Sequence, residues 1–151
     1  MCPNSSVQNS IAAGNIYGGF IAPGHDCGDT SSVKFKNNIG HSNDGDGAYI
    51  FPDPASNQSG NCYEVSNFSA YKNKEVGVTT HYQTKELRAR DLVMIDNSKG
   101  ISLQTAGEGD SIKIRAYDIE IFGEGDQNDD CPSTQSCSCK DKFGLMLFGN
   151  N

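Results

Sequence analysis

The chain has 151 residues, of which 35% are hydrophobic, and its 19 acidic and 12 basic residues give a formal net charge of −7. This acidic balance, with no extended run of Lys or Arg, argues against nucleic acid or an anionic membrane as a partner. No apolar run reaches the roughly 18 residues of a membrane-spanning helix, so we expect no direct membrane insertion by this chain. The length suits one domain, and the small apolar content favours a narrow core.

A repeating pattern runs along the chain, in which an apolar residue is followed eight or nine positions later by a glycine. Subtraction of residue numbers places successive leading residues 28, 29, 24 and 25 positions apart, which is typical of one turn of a solenoid protein. Short strands joined by Gly, Asn and Asp corners would fill each turn. The five pairs are Ile11 with Gly19, Ile39 with Gly47, Phe68 with Gly77, Leu92 with Gly100, and Tyr117 with Gly125.

The residues after each glycine alternate as in a β-strand with one buried face. The segment Glu86 to Asp96 is the best helical candidate, but its place in the repeat favours two short strands. The sequence therefore predicts an all-β fold, a parallel β-helix of about five turns. Other strands are predicted at Val33 to Phe35, Leu87 to Ala89 and Ile112 to Ile114. The expected interior positions are Phe20, Ala22, Ala48, Ile50, Val78, Thr80, Ile101 and Leu103.

The C-terminal part has two possible registers. Gly144 to Phe148 echoes Gly47 to Phe51, so it fits a further turn after a cysteine-rich insertion, and in that case Gly125 belongs to a loop. We assign residues 1–151 to a single β-helix domain with a cysteine-rich loop at about 126–142. The chain opens without a signal peptide and ends directly after an apparent strand, so we expect a segment of a longer protein.

Six cysteines are candidates for disulfides or for metal binding. Disulfides are favoured because only a C-x-C spacing occurs, whereas zinc sites usually offer paired C-x2-C spacings. Six cysteines allow 15 complete pairings, so no pairing is assigned. Disulfides imply an oxidising compartment. The candidates are Cys2, Cys27, Cys62, Cys131, Cys137 and Cys139.

Three Asn-x-Ser triplets are formal N-glycosylation acceptors, at Asn4, Asn57 and Asn67. Asn57 lies in a loop rich in Pro, Ser, Asn and Gly and is the best candidate. Asn67 lies beside an expected core strand, where neighbouring side chains would hinder modification. Together with the cysteines, these acceptors predict an extracellular or cell-surface location.

A resemblance to a known family rests on two stretches of the N-terminal third. The stretch Asn9 to Gly14 with Gly19-Phe20, followed by Phe35 to Asn43 with Gly47, resembles the parallel β-helix region of fibrocystin and fibrocystin-L. It is also similar to the related region of hyaluronan-binding proteins that induce cell migration, and of large protist surface proteins. The resemblance implies a right-handed β-helix in a large extracellular or ciliary-surface glycoprotein that is anchored elsewhere in its chain.

For each candidate catalytic residue, a structural role explains the sequence at least as well as a catalytic role. His41 shares a predicted face with Ile39, so we expect it to point inward and bond to Asn37, Asn38 or Ser42. His25 and His81 have no nucleophile placed by a recognised motif. A glycoside hydrolase would need two carboxyl groups about 5 to 9.5 Å apart, and the available pairs lie among Gly and Asn, where Asp is an ordinary turn residue. These pairs are Asp26 with Asp29, Asp44 with Asp46, and Glu108 with Asp110.

Two further sites are predicted on the acidic and aromatic residues near the second turn. Asn43, Asp44 and Asp46 offer oxygen ligands for calcium in a flexible turn, although no EF-hand is complete. Tyr49 and Phe51 share an exposed strand face if their neighbours point inward, and such aromatic faces bind glycans.

We therefore expect a structural or ligand-binding β-helix segment of a larger extracellular glycoprotein or assembly, and not an enzyme. Its expected partners are neighbouring domains of the parent chain or stacked subunits, since open solenoid ends expose strand edges, and extracellular glycans. The alternative is a polysaccharide-degrading domain of the hyaluronidase or lyase type.

Overall fold

The structure is a computed structural model that describes residues 6–27, 35–51, 62–80, 86–105, 113–123 and 144–149. Within these ranges every regular element is a β-strand, which confirms the all-β class. In chain order the strands are β1 (Val7–Gln8), β2 (Ile11–Ala13), β3 (Gly18–Pro23), β4 (His25–Asp26), β5 (Phe35–Lys36), β6 (Asn38–His41), β7 (Asp46–Phe51), β8 (Cys62–Tyr71), β9 (Val76–Thr80), β10 (Glu86–Ile95), β11 (Lys99–Thr105), β12 (Lys113–Phe122) and β13 (Leu145–Gly149).

The structure has two larger sheets, and from β6 to β13 successive strands of the chain belong to them in turn. One sheet has the order β12-β10-β8-β6-β2, with β4 paired antiparallel to β8, and the other has the order β13-β11-β9-β7-β3. The short strands β1 and β5 pair with each other. Apart from β4, all these pairings are parallel. This order confirms a parallel β-solenoid, while its right-handed sense and its count of about five turns stay predictions.

The glycines that end the predicted repeats lie beside one another at the start of the second sheet. The register places Gly19, Gly47, Gly77, Gly100 and Gly144 at equivalent positions. A Cβ on Gly47 would lie 2.5 Å from the backbone oxygen of Gly77, so the strands approach too closely for a side chain here. The fifth glycine is Gly144, as the alternative register predicts, and Gly125 lies outside the described residues.

The predicted leading residues are not all equivalent. Ile39 pairs with Ser69, whereas Phe68 pairs with Asn38, so the predicted alignment of Ile39 with Phe68 is wrong by one residue. The predicted fifth residue, Tyr117, is also wrong, because Leu92 pairs with Ile119. The reason for the first shift is that the interior position is occupied by a buried asparagine, Asn38, instead of an apolar residue. Its side chain donates to Val7 O at 2.8 Å and accepts from Ser10 N at 3.0 Å.

The core confirms the predicted inward positions. Phe20 packs partly buried against the core and forms an aromatic cluster with Phe35 and Phe68, with ring centroids 5.4 to 6.1 Å apart. Of the predicted upstream strands, only Phe35, Leu87 to Ala89, and 113–114 fall within described residues, and each lies in a strand. The buried positions that match the prediction are Ala22, Ala48, Ile50, Val78, Thr80, Ile101 and Leu103.

The chain bends at two sets of residues with positive φ, and the members of each set lie at similar positions in successive turns. Asp91 lies inside β10 with φ of 53°, so residues 86–95 form two extended segments on either side of a bend. The prediction that this segment is β-strand and not helix is confirmed. Asn and Asp tolerate this left-handed conformation better than most residues. The first set contains Asn9, Asn37, Asn67, Asp91 and Asp118, and the second contains Gly14, Ser42, Lys72 and Asp96.

A ladder of four asparagines follows the second set of bends. Asn15, Asn43, Asn73 and Asn97 stack so that the side-chain oxygen of each of the last three accepts from the side-chain nitrogen of the next lower-numbered member. The backbone N of each lower member donates to the same oxygen. The side-chain nitrogens of the three higher members donate to backbone carbonyls of the neighbouring level. This asparagine ladder therefore satisfies backbone groups that the bend would otherwise leave unpaired.

One disulfide joins Cys27 to Cys62, with a Cα–Cα distance of 5.6 Å. It links the residue after β4 to the first residue of β8, so it fixes the end of the antiparallel pairing. The prediction of disulfides is confirmed for this pair. Cys2, Cys131, Cys137 and Cys139 lie outside the described residues.

Candidate functional site

His41 lies on the outer face of β6, so the predicted inward orientation is wrong. Asn38 and Gly40 are the buried positions of this strand, which follows from the one-residue register shift. The His41 ring stacks on Tyr71 with centroids 4.4 Å apart and planes 5° apart. Its Nδ1 lies 3.1 Å from Ser42 Oγ, which agrees with one of the expected partners. These contacts give His41 a structural role in joining neighbouring strands.

Of the other candidate catalytic residues, His25 and Asp26 lie in a short strand. In this strand, β4, their backbones pair with Glu64 and Tyr63. His81, Asp29, Glu108 and Asp110 lie outside the described residues. Among the described residues, no group of three or more His, Cys, Asp or Glu side chains is arranged to hold a metal ion.

Each of the three predicted calcium ligands makes a contact with the neighbouring turn of the solenoid. Asn43 is fully buried in the asparagine ladder. Asp44 forms an ion pair with Lys74 at 2.7 Å, and Asp46 Oδ1 accepts from Val76 N at 3.0 Å. A bound calcium ion would have to compete with these contacts. The calcium site stays a prediction.

The predicted aromatic face lies on the outside of β7. Ala48 and Ile50 are completely buried, while the alternating Tyr49 and Phe51 are half-buried on the opposite side. Tyr49 is flanked in register by Ile21 on β3 and by Thr79 on β9. Because Ile21 is 78% exposed, the aromatic face continues as an apolar strip onto the neighbouring strand.

The glycosylation acceptors have only one described member. Asn67 lies at a bend inside β8, with φ of 52° and an intermediate exposure. The next residue, Phe68, is 1% exposed and belongs to the core. Modification of Asn67 therefore stays a prediction, as do those of Asn4 and Asn57, which lie outside the described residues.

The most organised polar arrangement is an arginine cluster that the sequence analysis missed. It consists of Arg88, Arg90 and Arg115, together with the carboxylates of Glu64 and Glu86. Arg88 and Arg115 form a register pair on β10 and β12, and their Nε atoms lie 2.8 Å and 3.0 Å from the same oxygen, Glu86 Oε1. Arg90 Nε donates to Glu64 Oε1 at 2.7 Å.

The carboxylates of the arginine cluster are less exposed than its cations. The Glu64 and Glu86 side chains are 7% and 17% exposed, whereas the three arginine side chains are 35% to 45% exposed. The two carboxylates therefore lie closer to the sheet than the arginines, and each guanidinium contacts a carboxylate through its Nε atom. A guanidinium has five N–H donors in a fixed fork, so donors remain on the solvent side of each arginine.

The proton affinities of the cluster follow from these contacts. A hydrogen bond from Arg88 is the main reason why the pKa of Glu86 lies below its usual range. A hydrogen bond to Glu64 is the main cause that raises the pKa of Arg90. For Arg115 the main cause is a hydrogen bond with Tyr117, and its pKa is also raised. These shifts favour the charged forms of Glu86, Arg90 and Arg115.

A period-two charge pattern in the sequence was the signal for this cluster. Residues 86–90 and 113–117 place charged or polar side chains at alternate positions of two strands that pair in register. Leu87 and Ala89 point to the core, so Glu86, Arg88 and Arg90 must share the outer face. Only the register could show that the arginines of two strands lie side by side.

The described residues contain no helix, and thus none that is long and apolar enough to cross a membrane. A scan against protein-family models, a search of curated proteins and a search of solved structures each found no match.

Proposed function

We propose that this chain is a structural and ligand-displaying β-solenoid segment of an extracellular or cell-surface glycoprotein, of the kind that fibrocystin-like proteins contain. The interior stabilises the fold, because core side chains and the asparagine ladder join neighbouring strands. The outer faces are left to carry ligand-binding side chains. The disulfide between Cys27 and Cys62 is compatible with an oxidising, extracellular location.

The observation that carries ligand binding is the outward aromatic face of β7. Tyr49 and Phe51 lie on one side of the strand while Ala48 and Ile50 fill the core on the other. Aromatic rings present a large apolar area at a small cost in conformational entropy. Extracellular glycans, whose rings have apolar faces, are the proposed ligands, and adjoining domains or stacked subunits are the proposed structural partners.

A glycan panel with matched variants tests this function. The chain would be produced with its disulfide intact, and wild type would be compared with a Tyr49→Ala, Phe51→Ala double variant. Tyr17→Ala is the control, since Tyr17 is an aromatic residue that is 92% exposed and lies outside this face. Loss of glycan binding in the double variant alone supports the proposal. Unchanged affinity of the double variant for every glycan bound by wild type would refute it.

A further inference from the structure

The arginine cluster lies on the outer face of β8, β10 and β12, in a different sheet from the aromatic face of β7. Its positive side chains extend to Lys113, which is the register partner of Glu86. Four cations, Arg88, Arg90, Lys113 and Arg115, therefore stand over two largely covered carboxylates. These four cations outnumber the two carboxylates beneath them, on a chain whose formal net charge is −7, while Asp91 and Asp118 at the adjoining bend balance the charge of the wider region.

From this arrangement we propose that the arginine cluster binds a densely sulfated polysaccharide, with Arg88, Arg90, Lys113 and Arg115 contacting successive sulfate groups. This proposal rests on the proposed function. It adds a second ligand-binding face to the solenoid and names the class of ligand that binds there.

The held guanidiniums favour an anion with several oxygens. Arg88 and Arg115 are anchored through Nε to Glu86 Oε1, so their orientation is set before a ligand arrives. Such preorganisation reduces the entropy lost on binding. A sulfate group has three terminal oxygens, one more than a carboxylate, so it offers more acceptor positions to two neighbouring guanidiniums.

The open shape of the face favours a polymer over a single small anion. The three arginine side chains are 35% to 45% exposed, and an exposed ion pair contributes little free energy by itself. Useful affinity then requires several contacts on one molecule, where each further contact is intramolecular.

The spacing of the cations favours dense charge on that polymer. Paired residues on neighbouring strands lie roughly 4.8 Å apart, and alternate residues on one strand lie roughly 6.6 Å apart. A chain with charges on every sugar matches this spacing better than one that is charged on alternate sugars. Tyr117, which is 45% exposed and is the register partner of Arg90, supplies an adjoining ring for a sugar to pack on.

Two aspartates limit the face on one side. Asp91 and Asp118 are register neighbours at the bend, and Asp91 Oδ2 lies 4.0 Å from Arg90 Nε. Both residues have positive φ, at 53° and 50°. Asn67 occupies the equivalent position on β8 with φ of 52°, so asparagine fits this bend. Asp→Asn substitutions here should remove repulsion of an anionic polymer while preserving the backbone.

Binding to immobilised heparin, a densely sulfated polysaccharide, at several salt concentrations tests the proposal. Arg88→Gln and Arg115→Gln should each weaken binding about 3- to 10-fold and reduce its salt dependence. Lys74→Gln is the control, because it removes one charge from a side chain that is 73% exposed and pairs with Asp44 elsewhere. Circular dichroism would establish that each variant is folded.

The Asp91→Asn, Asp118→Asn double variant provides a gain-of-binding test that is independent of any loss of folding. It should bind heparin at least 3-fold more tightly than wild type, because two like charges beside the polymer are removed. An unchanged affinity in both the arginine and the aspartate variants would overturn the proposal.

Competing ligands separate the possible failures. Equal affinity for polygalacturonate, hyaluronan or single-stranded DNA would overturn the assignment to sulfated polysaccharide. If heparin binding is lost in the Tyr49→Ala, Phe51→Ala double variant and kept in the arginine variants, this inference fails while the proposed function stands. If neutral and sulfated glycans both fail to bind wild type, the two proposals fail together.

Discussion

Truncation of the central asparagine of the ladder, Asn73→Ala, is expected to destabilise the fold strongly. Asn73 Oδ1 accepts from the backbone N and the Nδ2 of Asn43 at 3.1 Å and 2.9 Å. Asn73 Nδ2 donates to Gly40 O at 3.0 Å and to Asn97 Oδ1 at 2.7 Å. The alanine would remove all four hydrogen bonds at a site where Asn73 is 2% exposed, so water cannot replace them easily.

The size of the effect follows from which groups keep another partner. Asn43 Nδ2 retains Ala12 O at 3.4 Å, and Asn97 Oδ1 retains the backbone N of Asn73 at 3.1 Å. The backbone N of Asn43 loses its acceptor, and a buried unpaired donor costs about 1 to 3 kcal/mol. With about 1 kcal/mol for each of the three further hydrogen bonds, we expect the free energy of unfolding to fall by about 4 to 6 kcal/mol.

The matched control is Asn15→Ala at the exposed end of the same ladder. Its side chain makes one ladder bond, from Nδ2 to Asn43 Oδ1 at 3.0 Å, so we expect a loss of about 1 kcal/mol or less. Urea unfolding followed by circular dichroism measures both variants, and amide hydrogen exchange at Asn43 measures the lost bond directly. Equal stability of the two variants, with the Asn43 amide still protected in Asn73→Ala, would refute this reasoning.

Three further predictions concern the backbone, the disulfide and pH. Gly77→Ala places a Cβ 2.6 Å from the backbone oxygen of the next strand, whereas Gly123→Ala meets nothing within 4 Å. We therefore expect a loss of about 2 kcal/mol or more in urea unfolding for the first variant only, and equal stabilities would contradict this. Replacing Cys27 and Cys62 together by Ser should cost about 3 to 4 kcal/mol, because the bridge spans 35 residues; an unchanged unfolding midpoint would contradict it. Because an arginine hydrogen bond lowers the pKa of Glu86, its ionised form stabilises the fold above the usual glutamate range, and this stability is lost as pH falls through the lowered pKa. Glu86→Gln should flatten the acid side of the stability profile by about 1 kcal/mol or less, and an unchanged profile would show that the pairing is not coupled to folding.

Much of the solenoid could be predicted because its signals are local and repeated. A glycine that recurs at turn length, followed by alternating apolar residues, predicted the buried positions of β7, β9 and β11. The fifth level was harder, because the chain between β12 and β13 separates Ile119 from Gly144. The echo of Gly47 to Phe51 in Gly144 to Phe148 was the correct guide, and the Tyr117 assignment was wrong.

The candidate sites were less predictable, because they depend on neighbours from other levels. A core position for Ile39 predicts an inward His41, whereas the buried positions are Asn38 and Gly40. Asn43 was considered as a calcium ligand, but its amide groups bond to Asn15 and Asn73. In both cases a polar side chain takes a structural position that apolar periodicity cannot reveal.

The sequence by itself determined the strand segments, the inward face of most strands and the glycine positions, because alternation and close backbone approach depend on residues near one another in the chain. Only the tertiary structure decided the register. Register sets which residues of different levels lie side by side, and it is fixed by contacts between residues 22 to 44 positions apart. It therefore alone brought the asparagines into a ladder, His41 onto Tyr71, and Arg88 and Arg115 onto one carboxylate.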